Sequence, residues 1–160
     1  FYIIGDKAPP EVVALASETI IVTGYQPDVA CFFEEIKLSV APLRFGAGVK
    51  GKVNQSMGFG VPVVATSIAA EGMSLTHGKN VLIADLPLDF ADALVELYNS
   101  EALWTKISRN GLAQTRALFS AAAAHVTLAR IFSEQPEPVH DTSGANYLAV
   151  TSSFSAGPAS

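Results

Sequence analysis

Cysteine is almost absent from this sequence of 160 residues, because Cys31 is the only one. A lone cysteine excludes an internal disulfide and a cysteine-ligated metal cluster. The histidines, His77, His125 and His140, have no spacing typical of a metal site, and no serine follows the pattern of a hydrolase nucleophile. The sequence therefore predicts neither a metal nor a cofactor, and it gives no support for acid or base catalysis by this chain alone.

Charge is also scarce, at 16% of the residues, with a formal net charge of -5. This composition lacks the basic surface of a nucleic-acid-binding protein, so any anion site must be local. No apolar run reaches the roughly 18 to 20 residues that cross a bilayer, and the first residues lack the charged start of a secretory signal. We expect a cytoplasmic protein without a membrane span.

The apolar content of 49% is sufficient for one substantial core. We predict strands over residues 1–5, 19–24, 39–41, 63–65 and 81–84, and helices over residues 12–16, 27–35, 53–59, 88–98, 101–118 and 121–132. Asn110 and Gly111 could interrupt the fifth of these helices. Nearly apolar strands that alternate with helices indicate a parallel sheet covered on both faces, which is the doubly wound α/β class.

A glycine-rich loop over residues 44–52, with the sequence RFGAGVKGK, follows the third predicted strand. Its glycines allow the backbone to approach a ligand, and Lys50 and Lys52 supply two ammonium groups at the start of a helix. This pattern suits an anion such as a diphosphate, although a plain turn with solvated lysines has the same composition. The loop is not a Walker motif, because Val53 rather than serine or threonine follows Lys52.

Glycines follow the first three predicted strands, at Gly5, at Gly24, and at Gly46 and Gly48. The carboxyl ends of parallel strands meet at one edge of a sheet, so these turns are expected to line one crevice.

Further residues near that edge are candidates for ligand contacts. Arg44 could pair with phosphate or with a carboxylate such as Glu34 or Glu35. Asn54 and Gln55, on the first turns of the helix, carry amides that can hydrogen-bond to sugar hydroxyls. The segment Glu71-Gly72-Met73 follows the fourth strand and is expected at the same edge, although alone it would be an ordinary loop.

The composition changes after Glu134 to proline, serine, glycine and alanine. We therefore expect a folded domain over residues 1–134 and a mostly disordered tail over residues 135–160. Within the tail, residues 147–151, with the sequence YLAVT, have the composition of a strand and could pair with an exposed sheet edge.

Two segments of the sequence resemble the signature of a known family. Residues 41–52, APLRFGAGVKGK, and residues 55–66, QSMGFGVPVVAT, resemble the nucleotide-sugar signature of GT-B glycosyltransferases, in the group 1, family-4-like branch. The likeness continues through residues 71–73, the turn at residues 78–80, and the helices that begin near Asp89 and Glu101. Upstream, Gly5 and residues 22–28 also fit, so the resemblance covers roughly residues 1–134.

The resemblance implies a Rossmann-like carboxyl-terminal domain, one half of a GT-B fold, which binds the nucleoside-diphosphate sugar of a metal-independent hexosyltransferase. It implies that an amino-terminal acceptor-binding domain is absent from this chain, and that the full-length protein could lie peripherally at the inner membrane face. The implied diphosphate site comprises Arg44, Gly46, Gly48, Lys50 and Lys52. The implied nucleoside site comprises Gly24, Tyr25 and Gln55, and the implied sugar-side loop comprises Glu71, Gly72 and Met73.

The sequence departs from the family pattern in two respects. The family commonly has a glutamate at the start of the glycine loop and another eight residues later, whereas this chain has Ala47 or Phe45 and then Gln55. The family also normally has one more strand and helix before the equivalent of Phe1, so we expect a central strand to be missing unless residues 147–151 replace it. We expect no transferase activity from this chain alone.

Two other functions fit parts of the sequence. A sugar-nucleotide epimerase of the same fold would need acid and base groups that we cannot assign. A non-catalytic α/β module that binds a nucleotide or a partner protein is favoured by the missing carboxylates.

Overall fold

The structure, a computed structural model, describes residues 1–133. The predicted tail and the strand-like segment at residues 147–151 lie outside the described residues. The described part alternates five short strands with seven helices. The strands are β1 (Tyr2–Ile4), β2 (Ile21–Gly24), β3 (Ser39–Ala41), β4 (Val63–Ala65) and β5 (Leu82–Ile83). The helices are α1 (Pro10–Val13), α2 (Ala30–Glu35), α3 (Gly51–Gly58), α4 (Ser67–Ala70), α5 (Pro87–Asn99), α6 (Glu101–Phe119) and α7 (Ala121–Ser133).

The strands pair in parallel, as predicted, but they form two sheets. One sheet joins β1 to β2, and the other has the order β3-β4-β5. In the second sheet Ser39 is opposite Val63, and Val64 is opposite Leu82. The parallel strands and the intervening helices confirm the predicted Rossmann-like α/β class.

The core surrounds the three-stranded sheet, because alternate residues of β4 point to opposite faces. One face buries Val63 and Ala65 with Val53, Met57 and Met73. The other face buries Val64 between β5 and the helices α5 and α6. It packs there with Leu82, Leu97 and Ile107. All three residues of β4 are at most 1% exposed, which identifies this strand as the centre of the fold.

Strand β1 is more exposed than the sequence predicts. Phe1 is 63% exposed, and Tyr2 and Ile4 are close to 37% exposed, because only β2 covers an edge of β1 within residues 1–133.

The two sheets are linked through α2. The rings of Tyr2 and Phe32 meet edge to face at 5.3 Å, and those of Phe33 and Phe59 stack at 4.9 Å.

A large apolar cleft separates the two sheets. We call it the inter-sheet cleft, and its volume is about 1020 Å³. It is lined by β1, by residues 38–40 at the start of β3, and by side chains of α2 and α5. Within the described residues, β1 and β3 each have one edge without a partner strand, and both strands border the cleft. The cleft therefore lies between the edges of β1 and β3 that are unpaired within residues 1–133.

The element boundaries show where local sequence signals were insufficient. Helix α6 continues through Asn110 and Gly111, because Gly111 is buried against Met57 and the carbonyl of Asn80. Helix α1 ends at Val13, three residues earlier than predicted, and α4 was not predicted at all. Ser120 caps α7 as expected, since its hydroxyl accepts a hydrogen bond from the Ala123 amide at 3.1 Å.

Candidate anion and nucleotide site

The glycine-rich loop connects the carboxyl end of β3 to the amino terminus of α3. The neighbouring strand β4 leads through Thr66 into α4 and then into the segment Glu71-Gly72-Met73. Because β3 and β4 run in parallel, both connections leave the sheet at the same edge. This edge is the place where open α/β sheets bind ligands, so the structure brings two of the predicted site segments together.

Lys50 stabilises the glycine-rich loop from inside. Its ammonium group donates to the carbonyl of Gly48 at 2.7 Å and approaches that of Gly46 at 3.5 Å, and the residue is only 7% exposed. Both glycines have positive φ, 136° for Gly46 and 74° for Gly48, which a residue with a Cβ rarely adopts. We expected Lys50 to face a ligand. In this structure it instead holds its own loop closed.

The amino terminus of α3 is open. The backbone amides of Gly51 and Lys52 precede the first helical hydrogen bond, which runs from the Val53 amide to the Lys50 carbonyl. Among the described residues no side chain caps these amides. An uncapped helix start offers N–H donors and a positive partial charge to an anion.

Lys52 and Gln55 lie on one face of α3, because residues three apart in a helix are neighbours. Both are exposed and both line the inter-sheet cleft. These two side chains therefore connect the start of α3 to the cleft.

Asn54 carries an unpaired buried oxygen. Its Oδ1 atom is inaccessible to solvent and lacks a hydrogen-bond partner within the described residues. We had placed the Asn54 amide among candidate sugar contacts. The half-buried position of the residue leaves its neighbour Gln55, which is exposed, as the better placed of the two amides.

Thr66 joins the two site segments. Its hydroxyl donates to the carbonyl of Leu43 at 2.7 Å and accepts from the Ala69 amide at 3.2 Å, which caps α4. The side chain thereby connects the start of the glycine-rich loop to the helix that precedes Glu71. Sequence reasoning missed this role, although a threonine between a strand and a helix is a recognisable capping signal.

The segment Glu71-Gly72-Met73 is only partly available to a ligand. Glu71 and Gly72 are exposed, and Gly72 has a φ of 74°. Met73 is 1% exposed and packs in the core with Val53 and Met57. The Met73 side chain is therefore used in packing, and of this residue only the backbone is available to a ligand of the predicted sugar-side loop.

The remaining predicted positions, Gly24, Tyr25 and Arg44, do not line the inter-sheet cleft. Gly24 ends β2, and its carbonyl accepts a hydrogen bond from the Gly5 amide at 3.0 Å. Tyr25 follows it and is 70% exposed. Arg44 is also exposed, in the loop after β3. The four strand-end glycines thus form one pair at β1–β2 and another pair in the glycine-rich loop.

Two amide residues that the sequence did not identify support the segment after α4. Asn80, predicted as part of a polar turn, is 3% exposed and hydrogen-bonds to Gln114 of α6. Gln114 donates to the carbonyls of Met73 and Ser74. Their signal is weak in the sequence, because a single polar residue within a long helix is usually solvated.

The part of the chain that the structure describes, residues 1–133, contains no group of three or more histidine, cysteine, aspartate or glutamate residues placed to hold a metal ion. None of the helices in this part is both long enough and apolar enough to cross a membrane.

Comparison with known proteins identifies the family. Residues 1–100 match the model of the family described as glycosyl transferases group 1, which is more than half of the chain. The chain belongs to this family. None of the curated proteins compared with the chain matches it.

Solved structures share the fold at low sequence identity. The sucrose-phosphate synthase of Thermosynechococcus elongatus is similar with a TM-score of 0.62 and 17% identity, over 71% of this chain and 29% of that one. The carboxyl-terminal domain of the group 1 glycosyl transferase LpcC from Francisella tularensis has a TM-score of 0.57 and 20% identity, over 64% of this chain and 54% of that one. Anabaena HepE, solved with UDP-glucose, has a TM-score of 0.70 and 17% identity, over 84% of this chain and 40% of that one.

These similarities confirm that the chain has the Rossmann-like architecture of one half of a GT-B fold. The chain spans about half or less of the length of these solved structures.

Proposed function

We propose that this chain is the donor-binding part of a glycosyltransferase that moves a sugar from a nucleoside-diphosphate sugar to an acceptor. The observation that carries the proposal is the uncapped amino terminus of α3, which lies at the carboxyl edge of β3 beside Lys52. Membership of the group 1 glycosyl transferases supports the reaction class, and HepE, solved with UDP-glucose, supports the donor class.

In this proposal the diphosphate binds at the start of α3. The Gly51 and Lys52 amides donate hydrogen bonds to phosphate oxygens, and the Lys52 ammonium group adds a point charge. Arg44, Gly46 and Gly48 complete the diphosphate site, with the loop kept in shape by Lys50. Negative charge grows on the diphosphate as it leaves the sugar, so these donors stabilise the transition state more than the bound donor.

The rest of the donor occupies neighbouring positions in this proposal. Gln55, one turn along the same face of α3 as Lys52, hydrogen-bonds to the ribose, and Gly24 and Tyr25 lie near the base. Glu71 and Gly72 face the sugar. Metal ions have no role in the proposed mechanism, which depends on positioning and on fixed donors. The acceptor is bound by a domain outside this chain, so we expect no sugar transfer by the 160 residues alone.

One observation favours a second candidate, a non-catalytic module that binds a nucleotide. The glycine-rich loop has Phe45 and Ala47 at the positions where the family commonly has a glutamate for the sugar. Such a module would bind a nucleoside diphosphate and its sugar ester equally well.

We expect Lys52→Ala to weaken binding of a nucleoside diphosphate about tenfold, because one charged hydrogen bond to phosphate contributes about 1.5 kcal/mol. Titration calorimetry with UDP, GDP and ADP, each free and as its glucose ester, measures this change. Lys106→Ala is the matched control. Lys106 is exposed on α6, away from the loop, and its removal alters the net charge equally.

The proposal requires at least one of these six ligands to bind the parent chain at millimolar concentration. It also requires the Lys106 variant to bind like the parent. Equal affinities for the parent and the Lys52 variant would show that the nucleotide binds elsewhere.

A further inference from the structure

The segment between α4 and β5 is fixed by an unusual set of side-chain amides. We call the pair Asn80 and Gln114 the amide clamp. The Nε2 atom of Gln114 donates to the carbonyl of Met73 at 2.7 Å and to that of Ser74 at 2.9 Å. A single side chain thus bonds to two successive peptide carbonyls, immediately after Glu71 and Gly72.

Asn80 completes the clamp, and Asn110 bonds separately to the far end of the same segment. The Nδ2 atom of Asn80 donates to Oε1 of Gln114, and its Oδ1 accepts from the Thr76 amide at 2.8 Å. Asn110, one turn before Gln114 on α6, donates to the carbonyl of Lys79 at 2.8 Å. Gly111 allows this approach, since a Cβ at this position would lie only 3.4 Å from the Asn80 carbonyl.

The backbone at the clamped point is strained. Ser74 has a φ of 54°, one of two positive values among non-glycine residues within residues 1–133. A residue in this left-handed region costs free energy and persists only where its surroundings fix it. Gln114 supplies that fixation, because it holds the carbonyls on both sides of the Ser74 Cα atom.

The clamp sets the position of the exposed residues that come just before it. Met73 is anchored by its side chain in the core and by its carbonyl on Gln114, so Glu71 and Gly72 extend from a fixed point toward the ligand edge. Ordinary surface connections lack such anchoring and vary in conformation. A connection held by a partly buried amide network has the rigidity that ligand contacts require.

We propose that Gln114 is a positioning residue for the sugar half of the donor, acting through the backbone of Met73 and Ser74 on Glu71 and Gly72. This inference rests on the proposed function and goes beyond it. Gln114 makes no contact with the donor. It determines how strongly the site distinguishes a nucleoside diphosphate from its sugar ester.

The test compares Gln114→Ala with Asn110→Ala, which removes an amide hydrogen bond from the same helix to the far end of the same segment. The ligand is whichever of UDP, GDP and ADP binds the parent chain, together with its glucose ester. We expect Gln114→Ala to weaken binding of the glucose ester about fivefold, as for one lost hydrogen bond. The affinity for the free nucleotide should change less than twofold. Gln114→Glu keeps the acceptor for Asn80 but turns a carboxylate toward two carbonyls. This variant should lose at least as much affinity for the glucose ester as Gln114→Ala. Asn110→Ala should leave both affinities unchanged.

Hydrogen exchange of the free protein supplies a second readout that needs no ligand. Gln114→Ala should speed exchange of the Met73 and Thr76 amides, which donate hydrogen bonds to the Ala70 carbonyl and to Asn80, at least tenfold and leave the β4 amides unchanged. Unchanged exchange at these amides, or an equal loss of affinity for nucleotide and ester, would overturn the inference. Failure of the parent to bind any nucleotide would instead refute the proposed function, and the exchange result would still decide whether Gln114 fixes the segment.

Discussion

Leu97→Ala is expected to destabilise the chain by about 2–5 kcal/mol, the range for a leucine removed from a well-packed core. Leu97 of α5 is 0% exposed and packs with Val64, Leu82 and Ile107, so truncation leaves a cavity between helix and sheet. Chemical denaturation monitored by circular dichroism measures the loss in free energy of unfolding.

The same helix provides a matched control. Leu88 is 80% exposed, so Leu88→Ala makes the identical chemical change on the solvent side of α5 and should alter stability by less than about 0.5 kcal/mol. Equal effects of the two substitutions would mean that α5 does not pack on the sheet through Leu97. The described core would then be wrong.

Lys50→Ala is expected to destabilise the chain by about 1–2 kcal/mol, because it removes a charged donor from the carbonyl of Gly48. The glycine-rich loop should also lose its fixed shape, since two of its residues have positive φ and depend on that contact. Denaturation gives the stability change, and ¹⁵N relaxation of the amides of residues 46–50 gives the change in loop order.

Lys52→Ala is the control for this prediction. Lys52 is exposed, so its truncation should change stability by less than about 0.5 kcal/mol while still weakening nucleotide binding. The two substitutions would therefore have different effects, because Lys50 maintains the loop and Lys52 contacts the ligand. An unchanged stability in the Lys50 variant would mean that its ammonium group does not close the loop in solution.

The fold class could be predicted from the sequence because the local signals are strong and agree. The first four strands are short apolar runs with a glycine, proline or threonine at or just after their ends. The helices have regularly spaced apolar residues. The carboxyl-edge location of the glycine-rich loop then follows from parallel pairing alone.

The division into two sheets was not predicted from the strand pattern. An apolar run such as residues 1–5 looks the same whether its second edge is paired or faces a cleft, because burial depends on neighbours distant in the chain. The resemblance, rather than the pattern, raised the expectation of a missing central strand. That expectation stays a prediction, and the structure shows the inter-sheet cleft between β1 and β3.

The roles of individual site residues depended on side-chain direction, which spacing does not determine. Lys50 and Lys52 look equivalent in sequence, yet one points into the loop and the other lies at the cleft. Met73 belongs to a segment predicted at the site because it follows the fourth strand, but its apolar side chain packs in the core. Gln114 was missed because it reaches the site segment across roughly forty residues of sequence.

The central claim is that the start of α3 and its glycine-rich loop bind the diphosphate of a nucleotide sugar. Nuclear magnetic resonance of the ¹⁵N-labelled chain, titrated with UDP, GDP, ADP and their glucose esters, tests it most directly. The account predicts that the largest amide shifts fall at Gly48, Gly51 and Lys52 with every ligand that binds, and that the glucose ester also shifts Gly72. Shifts confined to residues outside the glycine-rich loop and α3, or no shifts with any of the six at millimolar concentration, would contradict it.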